Sequence, residues 1–181
     1  MGTRSRATIE DLYKVEGKAE LVNGEIVEMP PSGDDPNRAS VSITMSLRQY
    51  ERHTGQGWAY GDGAGFKVHL PHRESFSPDA AYHLGPRTGM RFLEGAPVFA
   101  VEVRSEHDYG PGAERAMREK RADYFACGTL VVWDVDLLSP DVIKSYKASD
   151  PANPVIFRRG NIADAEPAVP GWRMAVEELF R

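Results

Sequence analysis

Apolar residues recur along this chain with different periods, and each period marks a kind of element. From Ala19 to Glu28 they alternate with polar residues on both sides of Asn23-Gly24. Asn-Gly between two alternating segments signals a two-residue hairpin. Pairing across that turn sets Val22 opposite Glu25, Leu21 opposite Ile26 and Glu20 opposite Val27. From Val98 to Arg104 the chain is nearly all apolar, as in a strand covered on both faces. Alternation puts Val98, Ala100, Glu102 and Arg104 on one side of it, and Phe99, Val101 and Val103 on the other. The period then becomes helical. Ala113, Met117, Lys120, Tyr124 and Cys127 share one stripe of a helix over 113–127, with Gly128 as its stop. Lys120 is the only charge on that stripe. Leu130 to Val135 is a second apolar strand, and strand, helix, strand at this spacing implies a right-handed parallel crossover.

The remaining segments read more simply. Thr8 to Tyr13 is a short capped helix, because Thr8 can accept from free amides and Glu10 and Asp11 suit the positive end. Pro30 to Pro36 is a loop by composition. A helix follows from Asn37 to His53, with Val41, Met45, Leu47 and Tyr50 as its apolar face. Strands are expected at 58–60, 66–70 and from Pro78 through Tyr82, then at 142–146 and 155–158. A turn at Pro170-Gly171-Trp172 precedes a final helical turn at 176–180. No internal repeat or linker divides the chain, so its 181 residues are read as one domain, 1–181, of α/β class.

Composition narrows the setting. A net charge of -5 with no long single-sign block is not the signature of a dedicated nucleic-acid binder, although a metal and local arginines can reverse the field within a cleft. Cys127 is the only cysteine, so no intramolecular disulfide forms, which suits a reducing cytosol. Met1 to Arg6 has no apolar stretch behind it, and no run approaches the roughly 18 apolar residues that span a bilayer. Arg6 also spoils a myristoylation pattern. The expected location is cytoplasmic.

Candidate chemistry starts from Glu102. A lone carboxylate in a buried strand is costly unless something positive faces it. Asp79 follows Pro78 at the start of another strand, and two carboxylates from neighbouring strands can grip a hard divalent cation. Lys120 lies on the helix stripe that should face the sheet.

Taken in order, several pieces of this sequence resemble one family. They are Glu20-Leu21-Val22-Asn23-Gly24-Glu25-Ile26-Val27-Glu28-Met29, Pro78-Asp79, Val101-Glu102-Val103-Arg104-Ser105 and Lys120 with Tyr124 and Gly128. Val132-Trp133-Asp134-Val135 and Pro170-Gly171 before Glu178-Leu179-Phe180 complete the set. The chain resembles the bacterial putative restriction endonuclease family of the PD-(D/E)xK nuclease superfamily, from about Thr8 to Phe180. The resemblance implies a restriction-endonuclease-like fold, with a mixed sheet of four or five strands, helices on both sides and an N-terminal β-hairpin. It implies hydrolysis of DNA phosphodiester bonds with Mg2+, for which Mn2+ can substitute, by a homodimer. Asp79 and Glu102 are the implied metal ligands and, with Lys120, the catalytic residues. Glu20 matches a frequent family acid and is a further candidate ligand. The superfamily lysine usually sits two residues after the second acid, where this chain has Arg104, and in this family it moves to the following helix. Arg104 could clamp the scissile phosphate or instead pair with Glu102. Asn37-Arg38 stands where family members often carry a histidine.

Other motifs carry less. His69 and His72 flank Pro71 without further zinc ligands. Ser105, His107 and Asp108 have the composition of a hydrolase triad but are too close in sequence to meet its geometry. Gly61 to Gly65 lies between strands rather than ahead of a helix, against a phosphate-cradling loop. Tyr82, Trp133 and Trp172 are read as core, and Cys127 as packed in the helix stripe. Two alternatives stand beside the nuclease. One is a catalytically degenerate module of the same fold that binds nucleic acid or protein. The other is a hydrolase of small phosphates, which a narrow closed pocket would favour.

Overall fold

The computed structural model of the chain describes residues 6–181. Met1 to Ser5, within the stretch read above as lacking a leader, lie outside the described residues. In chain order the elements are α1 (Ile9–Leu12), β1 (Ala19–Val22), β2 (Glu25–Glu28), α2 (Asp34–Thr54), β3 (Trp58–Gly61), β4 (Phe66–Leu70), β5 (Arg73–Phe76) and β6 (Ala80–His83). There follow β7 (Leu93–Glu94), β8 (Phe99–Val103), α3 (Pro111–Ala126), β9 (Val131–Val135), β10 (Ile143–Lys147), β11 (Asp150–Phe157), β12 (Ile162–Asp164) and β13 (Arg173–Ala175). A 3-10 turn at Val176–Phe180 ends the series.

The hairpin forms in the register its turn dictates, with Val22 opposite Glu25, Leu21 opposite Ile26 and Glu20 opposite Val27. Asn23 and Gly24 both have positive φ, 54° and 75°, as a tight hairpin turn requires. Central to the molecule is a mixed six-stranded sheet in the order β11-β10-β9-β8-β6-β3. Within it β8 and β9 run parallel, joined by α3, and the other neighbours are antiparallel. The expected four or five strands are thus exceeded, and a second sheet, β2-β1-β5-β4-β7, incorporates the hairpin. Strands β5, β7, β12 and β13 had no expectation behind them. β5 reads Arg-Glu-Ser-Phe, too polar to reveal a strand by hydropathy.

Alternation along β8 and β9 sorts the core into two layers. Phe99, Val101 and Val103 join Val131, Trp133 and Val135 on the face covered by α2 and the C-terminal segment. Phe99, Trp133 and Trp172 pack ring on ring there, with centroids 5.1 to 5.6 Å apart. Ala100 and Val132 face the other way, against Phe66, Phe76 and Leu93 of the second sheet and Tyr124 of α3. Each such fully buried large side chain contributes about 1.5–3 kcal/mol.

Helix α2 differs from expectation in two respects. It starts at Asp34, inside the segment read as loop, with acidic Asp34 and Asp35 in its positive first turn. Pro36 fits there because a first-turn amide has no partner to lose. Its buried face is Ala39, Ile43 and Leu47, whereas Val41 and Met45 are exposed. Two residues on a helix turn about 200°, so Val41 lies opposite Ala39. Among the described residues no helix is long and apolar enough to cross a membrane.

Candidate metal and phosphate site

Strand register brings the two candidate acids together. β6 pairs with β8 antiparallel, with Ala80 opposite Val101. One step further along, Asp79 meets Glu102. The Asp79 amide donates to the Val101 carbonyl (2.9 Å), and its carboxylate Oδ2 accepts from the Val103 amide (2.6 Å). Ser40 of α2 donates its hydroxyl to the Asp79 carbonyl (2.6 Å). Asp79 is therefore fixed from three sides at the mouth of the sheet.

Helix α3 crosses the same face and supplies Lys120 and Tyr124, one turn apart. Glu102 Oε1 accepts from the Tyr124 hydroxyl (2.7 Å) and lies 2.9 Å from Lys120 Nζ. Among the described residues Glu102 Oε2 has no hydrogen-bond partner. The Tyr124 ring is stacked on Phe76, centroids 3.9 Å apart, which holds its hydroxyl in place.

From β1 comes Glu20, 5% exposed. Its Oε1 accepts from the Ser77 amide (2.8 Å) and Lys120 (2.9 Å), and its Oε2 from Arg73 (2.6 Å). Arg73 in turn donates to Asp123 (2.8 Å), which also meets His72 (2.6 Å). Both oxygens of Glu20, a candidate further metal ligand, accept from protein donors, as both oxygens of Asp79 do. Glu20 thereby ties Lys120 to Arg73 through one carboxylate. Among the described residues no group of three or more His, Cys, Asp or Glu side chains forms a metal-holding set.

Lys18 enters the site without any expectation behind it. Its carbonyl accepts from the Met29 amide (2.9 Å), which extends the hairpin by one step. Alternation then aims Lys18 and Glu20 the same way. Its ammonium lies 2.6 Å from Asp79 Oδ1 and 2.7 Å from Asp62 Oδ1. The two-residue spacing from Glu20 was the available signal.

Arg104 makes its contacts with the neighbouring strand and the third helix. It forks onto Asp134 through Nε and a terminal nitrogen, both at 2.8 Å, and also bonds Glu114. Its side-chain partners are thus Asp134 and Glu114 and not Glu102. Asp134 lies opposite Glu102 in the parallel β8–β9 register. A second lone acid in a second apolar strand was the sequence signal that called for this arginine. Asp108 accepts from both the Ser105 amide (2.7 Å) and hydroxyl (2.9 Å), so that trio forms a local turn and no triad.

Charges in the connected cluster set its electrostatics. Burial pushes the Glu102 carboxyl up, and repulsion from Asp79 and Glu20 adds to it against the pull of Lys120 and Lys18. Burial also pushes Glu20 up, but Lys120, Arg73 and its hydrogen bonds outweigh that and hold it below the ordinary carboxylate value. Burial pulls the Lys120 ammonium down, yet Glu102 and Glu20 hold it well above the ordinary lysine value. Five carboxylates (Asp62, Asp79, Glu102, Glu20, Asp123) face three cations (Lys18, Lys120, Arg73), a formal excess of two negative charges before His72 is counted. A cavity of about 820 Å3 opens over the cluster, walled by hairpin residues such as Val27 and Met29 and by Met117 of α3.

These residues fit a hard divalent ion. Asp79 and Glu102 offer oxygen donors, the excess charge matches one such ion, and Mg2+ usually takes only one or two carboxylates with water and phosphate completing its shell.

Comparison with known proteins finds similarity to a family and to solved structures. A family model described as "Putative restriction endonuclease" (Uma2) matches residues 7–177. Among solved structures, a protein described as a putative nuclease belonging to DUF820, from Anabaena variabilis ATCC 29413, superposes with a TM-score of 0.73. That match covers 96% of this chain and 97% of the other at 14% identity, so it shows a shared fold. No curated protein matches.

Proposed function

The chain belongs to the putative restriction endonuclease family, and from that premise we propose that it is a divalent-metal-dependent DNA endonuclease of the PD-(D/E)xK type. The observation that carries the reading is the meeting of Asp79, Glu102 and Lys120, from three separate elements, at one cavity with a formal excess of two negative charges. Asp79 and the free oxygen of Glu102 would hold Mg2+, with Mn2+ as a substitute. When bound, the ion polarises a phosphoryl oxygen and lowers the pKa of a bound water.

The protein's own groups do the rest. Lys120 is an ammonium at neutral pH, so it does not take a proton from water. It orients a nucleophile or meets charge developing on phosphate, fixed by Glu20 and Tyr124 through Glu102. Tyr124 donates to the Glu102 oxygen shared with Lys120, which leaves the second oxygen without a protein donor among the described residues. Arg73 and the Ser77 amide hold Glu20. Cutting both strands of a duplex takes two such sites, so the reading includes a homodimer.

Nicking of supercoiled plasmid by the purified chain tests it. The expected result is cleavage that requires Mg2+ or Mn2+ and falls below detection in Asp79→Ala and in Glu102→Ala. Cleavage that survives both substitutions sinks the assignment. Absence of cleavage together with no uptake of Mn2+ supports the degenerate binding module instead.

A further inference from the structure

We propose that Lys18 is a built-in counter-ion for Asp79, which holds the oxygen a divalent cation would take and withdraws onto Asp62 when that cation binds. The inference rests on the metal-binding reading above. Its geometry is specific. Asp79 Oδ2 is committed to the Val103 amide at 2.6 Å, so Oδ1 is the oxygen open to exchange. The Lys18 ammonium occupies that oxygen at 2.6 Å. Glu102 differs, since its Oε2 carries no protein hydrogen bond among the described residues. An ammonium and a divalent ion repel when both press against one carboxylate oxygen.

Asp62 gives the ammonium another place to rest. It lies in the turn after β3, already 2.7 Å from Lys18 Nζ, and belongs to neither strand that carries the two facing acids. The Lys18 backbone is pinned by the Met29 amide, so the exchange needs only side-chain rotation. No charge has to be expelled into solvent or neutralised. Asp62 is thus a positioning residue that acts through Lys18.

Calorimetric titration of Mn2+ into the DNA-free full chain reads this directly. Lys18→Met is expected to bind Mn2+ about tenfold tighter than the natural chain, the effect of deleting one competing cation contact. Asp62→Asn is expected to bind several-fold weaker, because Lys18 then has Asp79 alone. In the Lys18→Met background the Asp62→Asn change should shrink to about twofold or less, the mark of coupled residues. Equal or weaker binding by Lys18→Met at an unchanged melting temperature overturns the proposal. So does an Asp62→Asn effect that is the same with and without Lys18. If Lys18→Met does not fold, unchanged or tighter binding by Asp62→Asn overturns it alone. A natural chain that takes up no Mn2+ overturns the metal reading and this inference together, whereas uptake with no response to Lys18 overturns only the latter.

Discussion

Lys120 and Lys18 both carry an ammonium into the same cavity, each beside one of the facing acids, yet they are held differently. Lys120 stands on the third helix between Glu20 and Glu102, in a buried network that runs on through Arg73 and Asp123. Lys18 stands at the foot of the hairpin, with Asp79 on one side and a partly exposed loop acid, Asp62, on the other. A buried ion network stays in place because any rearrangement strands a charge away from water. Lys18 is as covered as Lys120, each with its side chain 16% exposed, but its second partner Asp62 keeps 29% exposure where Glu20 keeps 6%, so the ammonium can shift toward Asp62 without stranding a charge. The contrast separates a preorganised group from a movable one, and the burial of the partners sets it.

The largest expected effect breaks the buried side. Glu20→Ala would leave Lys120 and Arg73 without a shared counter-charge, at a cost of about 3–5 kcal/mol in urea unfolding. Asp62→Ala, on the rim, should cost no more than about 1 kcal/mol. Similar losses for both would erase the distinction. A smaller effect sharpens it. Tyr124→Phe keeps the stack on Phe76 but removes a hydrogen bond to a buried carboxylate, worth about 1.5–3 kcal/mol.

The smallest effect is a shift along the pH axis. On the proposed reading metal uptake needs Glu102 ionised, and burial with Asp79 beside it holds that carboxyl above the ordinary value of 4.5. Protons therefore compete with metal at higher pH than for a free glutamate, and Mn2+ affinity should fall as pH drops through that raised value. Tyr124 donates to the ionised form, so Tyr124→Phe should move this limb to higher pH still. An acid limb of Mn2+ binding centred below pH 4.5 in the natural chain would contradict the assigned role of Glu102.

Some of this site was legible in the sequence and some was not. Glu102 and Lys120 could be picked out because each violates its local pattern, as an acid in an apolar strand and a charge on a helix's inward stripe, whereas Asp79 was legible only as an acid after a proline at a strand start and through the family resemblance. Asp134 violates its pattern in the same way as Glu102, and its arginine partner follows. Lys18, Asp62 and Arg73 sit in polar surroundings where one more charge breaks no pattern. What brings Lys18 to Asp79 is a contact 61 residues apart in the chain.

The sequence by itself determined the hairpin and its register, the parallel crossover between the two apolar strands, and the inward stripe that bears Lys120. Turn chemistry and side-chain period act over neighbouring residues, and the chain carries both on its face. Only the tertiary structure decided the second sheet, the partners of Glu20 and Arg104, and which lysine is locked. Those depend on which charges the packed strands leave within hydrogen-bond reach, and the cost of burying a charge, which selects among them, exists only after the chain has folded.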